Sequence, residues 1–103
     1  MRYEVNAQSG KVVLSLRDRL VHEDRGVFER VVREVLANQP GEVEVDFHDL
    51  SYMDSAGLGF LLTLREQARK TGTMIVLSRP QGTVREILDL ARFETLFTIR
   101  QGG

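Results

Sequence analysis

Apolar and polar residues alternate from the start of the chain. Tyr3, Val5 and Ala7 are spaced by polar neighbours, Ser9-Gly10 supplies a turn, and Val12-Val13-Leu14-Ser15-Leu16 resumes an extended run. That pattern predicts a hairpin. Arg17 to Glu23 reads as a polar link, and Asp24 is placed to cap a helix. Val27, Phe28, Val31, Val32, Val35 and Leu36 then fall on one stripe of a 3.6-residue period. Glu29 with Arg33, and Arg30 with Glu34, stand four apart on the opposite side, each pair worth about 0.2–0.5 kcal/mol. Asn38-Gln39-Pro40-Gly41 ends that helix.

The period changes to two in Val43-Glu44-Val45-Asp46-Phe47, which predicts a strand with one face on a core. A second helix follows Asp54, with Leu58, Leu61, Leu62 and Ala68 assigned inward and Phe60 and Leu64 beside them. Arg65, Glu66, Arg69 and Lys70 are assigned outward, and Thr71-Gly72 as the C-terminal cap. Met74-Ile75-Val76-Leu77 is apolar throughout, as expected of a buried strand. Thr83 and Glu86 have the spacing of a capping box ahead of a third helix with Val84, Ile87, Leu88 and Ala91 on one face. Leu96 to Ile99 predicts a last short strand before a flexible Gln101-Gly102-Gly103.

The predicted order is β-β-α-β-α-β-α-β. Right-handed crossovers turn that order into a mostly parallel, four- or five-stranded mixed sheet, with the first strand antiparallel near an edge. Alternation in the third strand places the amphipathic helices mainly on one face. The 103 residues suit a single α/β domain spanning 1–103.

Composition then narrows the chemistry. Fourteen Lys and Arg against fifteen Asp and Glu give a net charge of −1, which argues against a phosphate-collecting nucleic-acid binder. With no Cys there are no disulfides, thiolate nucleophiles or Cys-based zinc sites. The N-terminus shows no apolar signal region, and the most apolar stretch, Leu58 to Leu64, is far short of a membrane span. The reading is a cytoplasmic protein without membrane insertion.

His22 and His48 lie in separate polar links and fit surface roles better than metal or base roles. Asp46, Asp49 and Asp54 gather near the end of the third strand, where open parallel sheets bind ligands, and three carboxylates there raise a minor magnesium reading. Gly57-Leu58-Gly59 does not complete a dinucleotide fingerprint, because position 62 is Leu62. No catalytic residue, metal or cofactor is assigned. What stands out is Asp54-Ser55 at a strand-to-helix junction with Gly57 and Gly59 behind it. Small residues there let another surface approach closely. A serine at that place has a plain structural use as an N-cap, worth about 1 kcal/mol, and spacing alone favours that use over regulation. Phosphorylation of Ser55 would instead add about two negative charges beside Asp54.

The string Leu50-Ser51-Tyr52-Met53-Asp54-Ser55-Ala56-Gly57-Leu58-Gly59 resembles the signature of STAS domains, in particular the bacterial anti-sigma factor antagonists. The resemblance covers essentially the whole chain. It implies a STAS-like sheet with helices on one face, and a protein that works by binding and not by catalysis. It implies that Ser55 is phosphorylated by a partner that is both anti-sigma factor and serine kinase, an ATPase of the histidine-kinase-like type. A PP2C-type phosphatase would reset the switch, and the unphosphorylated form would hold the kinase and release the sigma factor. Carried over by residue, Asp54 supports Ser55, while Ala56, Gly57, Leu58 and Gly59 belong to the docking surface. Asp18 and Val21 stand where the family reads Gly-x-Leu-Asp on the partner face, and Ala56 replaces a second serine found in many members. No room remains for the terminal helix many antagonists carry. An alternative is a constitutive STAS adaptor subunit of a transporter or sensory complex, with no serine phosphorylation.

Overall fold

A computed structural model of the chain describes residues 1–101. The expected flexible tail falls partly outside these, at Gly102 and Gly103. The sheet contains β1 (Arg2–Gln8), β2 (Lys11–Leu20), β3 (Glu42–Met53), β4 (Met74–Ser78) and β5 (Thr98–Arg100). Its helices are α1 (Arg25–Leu36), α2 (Ser55–Lys70) and α3 (Gly82–Leu90), with short 3-10 turns at His22–Asp24 and Phe93–Thr95. The strands lie side by side in chain order, β1-β2-β3-β4-β5. β1 is antiparallel to β2, and every later pair is parallel. Each right-handed crossover advances one strand and returns its helix to the same side.

One apolar cluster joins that face to all three helices. Val12, Leu14 and Leu16 of β2, Val43, Val45 and Phe47 of β3, and Ile75 and Leu77 of β4 meet Phe28 and Val31 of α1, Leu61 and Leu64 of α2, and Val84 and Leu88 of α3. The other face is polar and bound together across strands. Lys11 lies 2.8 Å from Glu44, Ser78 Oγ donates to Glu44 at 2.7 Å, Arg79 forks onto Asp46 at 2.6 and 3.1 Å, and Arg100 reaches Glu42 at 3.3 Å.

Several expectations change on inspection. β2 runs on to Leu20 through the stretch read as a link, and β3 runs on to Met53. Irregular register between Ser15 and Arg17, and again between Asp18 and Arg19, gives β3 extra residues opposite β2. These bulges change the inward spacing from two to three, so that Phe47, Leu50 and Met53 all point into the core. Leu62 is 40 % exposed, because the buried arc of α2 is Gly57, Phe60, Leu61, Leu64 and Ala68. The Thr83–Glu86 box does not form. α3 begins at Gly82 with Gln81 at the cap position, and the Gln81 amide donates to the His48 carbonyl at 2.5 Å. The last strand starts at Thr98, since Phe93–Thr95 coils into a 3-10 turn that stacks Phe93 on Phe97 at 5.2 Å. Neither Glu29–Arg33 nor Arg30–Glu34 closes to ion-pair distance among the described residues; Glu34 instead accepts from the Tyr3 hydroxyl at 3.5 Å. The end of α2 follows its cap expectation, with Gly72 at φ 70 and bonds from Thr73 N to Ala68 O and from Gly72 N to Arg69 O.

Candidate functional site

The site is built where β3 ends and α2 begins. Met53 is fully buried, and Asp54 leaves the strand in extended conformation at φ −101. Asp54, not Ser55, is the N-cap. Its Oδ1 accepts from Gly57 N at 3.1 Å and its Oδ2 from His22 N at 3.2 Å, while its own N–H donates to Leu20 O at 3.2 Å. One carboxylate therefore ties the helix start to the turn after β2. Ser55 follows as the first helical residue, with an exposed side chain.

The glycines that follow do different jobs. Gly57 is buried, and a Cβ there would lie 2.8 Å from Leu20 O and 3.1 Å from Met53 Cβ. Its missing side chain lets the end of β2 close against α2, so it presents no surface. Gly59 is exposed and a Cβ there would meet nothing within 4 Å. Ala56 and Leu58 are half-buried against the core. At 100° per residue, Ser55, Gly59 and Leu62 fall along the outermost line of α2, spaced i, i+4 and i+7.

Asp18 and Val21 sit on the turn beside this junction. Asp18 adopts φ 70, the left-handed region where the resembled family has glycine. Arg2 holds it there with bonds of 2.7 and 3.2 Å, and its carbonyl accepts from Ser51 Oγ at 2.7 Å. The Arg2 guanidinium keeps the Asp18 carboxyl below the usual carboxylate range. Val21 offers no carboxylate for the turn. Asp24 supplies one, accepting from Val21 N at 2.9 Å; it stands at the N-cap position of α1 as expected, but its side chain closes this turn and makes no capping bond to the helix. Asp18 and Val21 line one shallow depression with Arg19, Glu23 and Asp24, and Ser55 is not part of it. The link between the two places is the bond from His22 N to Asp54.

The three carboxylates considered for magnesium are separately engaged. Burial pushes the Asp46 carboxyl up, but the Arg79 fork and the His48 N–H outweigh it and hold it below its ordinary range. Asp49 lies 3.0 Å from His48 Nδ1, and Asp54 is the cap. Among the described residues no group of three or more His, Asp or Glu side chains is arranged to hold a metal ion. No helix among them is long and apolar enough to cross a membrane. Sequence reasoning passed over Leu20, whose carbonyl receives Asp54 N and faces Gly57. The apolar pair Leu20-Val21 inside an otherwise charged stretch was the available signal.

An open sheet with helices on one face, carrying an exposed hydroxyl at a capped helix start, describes a domain of the STAS type. The family model for the Mlab STAS domain matches residues 3–99, and the chain belongs to the STAS family. A STAS-domain-containing protein of Pseudomonas aeruginosa is 39 % identical over 79 residues, covering 76 % of this chain and 73 % of that one. The anti-sigma factor antagonist SpoIIAA of Bacillus, in its unphosphorylated form, superposes with a TM-score of 0.74 at 18 % identity over 99 % of this chain and 89 % of that one. Its phosphorylated form gives 0.76 at 17 % identity, over 99 % and 92 %. A sulfate transporter family protein from Wolinella succinogenes gives 0.73 at 19 % identity, over 92 % and 80 %. At these identities the structural likenesses establish the fold: a five-stranded mixed sheet with three helices, like that of SpoIIAA.

Proposed function

We propose that this chain is an anti-sigma factor antagonist whose binding is switched by phosphorylation of Ser55. The observation that carries the reading is that Asp54 takes the N-cap. The structural use that would otherwise explain a serine here is already filled, and the Ser55 hydroxyl is left exposed on the first turn of α2. A phosphate at that position gains from the positive end of the helix dipole, so the fold tolerates it. A partner seated on α2 does not, because about two negative charges enter its contact surface beside Asp54. On a chain of net charge −1 this is a large local change. SpoIIAA, known in both phosphorylated and unphosphorylated forms, supports the analogy.

In this reading the unphosphorylated protein holds an anti-sigma factor that is also a serine kinase of the histidine-kinase-like ATPase type, and a PP2C-type phosphatase restores it. The chain contributes binding and no catalysis, acts in the cytoplasm as a single domain, and affects transcription only through its partner. Asp54, Ser55, Leu58 and Gly59 form the contact, with Asp18 and Val21 at its margin. Incubation with the cognate kinase and ATP should add the mass of one phosphate, mapped to Ser55 and absent from Ser55→Ala. An unchanged mass, or a phosphate elsewhere, refutes the switch.

A second reading, a constitutive adaptor of a transporter or sensory complex, is favoured by the transporter-family neighbour and by Val21 in place of an aspartate. It expects Ser55→Ala and wild-type protein to recover the same membrane complex equally.

A further inference from the structure

α1 and α2 meet along a cleft that lies outside the Ser55 contact. The rings of Phe28 and Phe60 stack across it at 5.5 Å and belong to its floor. Arg25, Glu29 and Arg33, spaced four apart on α1, make one wall, and Thr63 and Gln67 of α2 stand opposite. Its volume is about 310 Å³, at the small end of the range for ligand pockets. That suits a single ring with a short arm and is too little for a dinucleotide.

The chemistry of the cleft centres on Arg25, the first residue of α1. Its guanidinium lies 5.2 Å from the centroid of the Phe60 ring. Phe60 is 5 % exposed, and the guanidinium is part of its cover. Contact of a cation with an aromatic face is a weak hold at an exposed site. Among the described residues, Arg25, Glu29 and Arg33 have no ion-pair partner. Two guanidiniums against one carboxylate leave this wall net positive, so it favours an anion of low charge. Arg25 therefore has an aromatic neighbour and lacks a counter-charge, while Phe60 has a face that opens when Arg25 swings aside. A ring bearing a carboxylate answers both. The ring replaces the guanidinium over Phe60, and the carboxylate accepts two parallel N–H bonds from Arg25. We propose that the cleft between α1 and α2 binds a small aromatic carboxylate, with its ring on Phe60 and its carboxylate on Arg25. Thr63 and Gln67 border the bound molecule with a hydroxyl and an amide. This assignment does not depend on whether Ser55 is phosphorylated.

Titration of the full chain with phenylacetate, followed by backbone amide NMR shifts, tests it. Amides around Arg25, Phe60 and Thr63 should shift together and saturate at about millimolar ligand, as expected for a molecule with so few atoms. Acetate, which lacks the ring, and benzyl alcohol, which lacks the charge, should each bind at least about tenfold more weakly. Arg25→Gln should weaken phenylacetate about tenfold or more, through loss of a charge-assisted bond. Arg25 is exposed, so circular dichroism of that variant should be unchanged. Glu29→Gln removes the like charge and should tighten binding. Arg30→Gln, exposed on α1 outside the cleft, should leave it as it is. A titration without saturation, or shifts spread evenly over surface arginines, overturns the proposal. So does acetate binding as well as phenylacetate, an Arg25→Gln that binds like wild type, or a Glu29→Gln that binds more weakly.

Discussion

Gly57 and Gly59 lie two residues apart in α2, and alanine at each should move stability in opposite directions. At Gly57 the added Cβ sits 2.8 Å from Leu20 O and 3.1 Å from Met53 Cβ. The first neighbour is backbone, held in place by the Asp54 N–H at 3.2 Å. It cannot turn aside as a side chain would. Overpacking of this kind costs about 1–3 kcal/mol, and displacing the carbonyl weakens a hydrogen bond worth about 1 kcal/mol. Helix propensity returns up to about 1 kcal/mol. The net is a loss of about 1–3 kcal/mol for Gly57→Ala. At Gly59 only the propensity gain remains, because a Cβ meets nothing within 4 Å. Gly59→Ala should therefore gain about 0.5–1 kcal/mol. Urea unfolding read by far-ultraviolet circular dichroism measures both. The midpoints should fall on either side of wild type with an unchanged slope. A Gly57→Ala protein at or above the wild-type midpoint would refute the close approach of β2 to α2. A destabilised Gly59→Ala would mean that something within the chain occupies that space.

Asp54→Ala removes the acceptor of both Gly57 N and His22 N, and should cost about 1–2 kcal/mol, the upper range for a lost cap. In a domain this size that lowers the melting temperature by several degrees; a melt matching wild type would dismiss the double cap. On the polar face, Lys11 and then Ser78 hold the Glu44 carboxyl below its ordinary range. At Asp46, burial is outweighed by Arg79 and the His48 N–H. A carboxyl with a folded pKa below its unfolded value stabilises fully above the ordinary range of about 4, and that contribution fades as pH falls through the folded value. Urea midpoints should therefore drop on acidification below about pH 5. The drop should be shallower in Lys11→Met and Arg79→Met, and an unchanged slope in both would count against these pairs.

The period-two runs at Val12–Leu16 and Val43–Phe47 and the 3.6-residue stripes of α1 and α3 depend on local burial patterns, so element order, sheet type and helix placement are legible in the chain itself. So was the strand-to-helix junction at Asp54-Ser55, marked by small residues. The division of labour inside it was not. Aspartate and serine are both good caps, and only the positions of Gly57 N and His22 N decide that Asp54 takes the role and leaves Ser55 exposed. Two glycines look alike in a string; Leu20 O against one and open space beside the other separates them.

The chain by itself determined the alternation of apolar positions and hence a mixed sheet covered on one face. Burial follows period, and period is local. Tertiary structure decided the register of β3 against β2, since the bulges exist only between two paired strands. They carry both strands past their expected ends and bring Leu20 and His22 to the start of α2. It also decided that Leu62 faces water: two adjacent leucines are equivalent until the sheet beneath α2 chooses which one it covers.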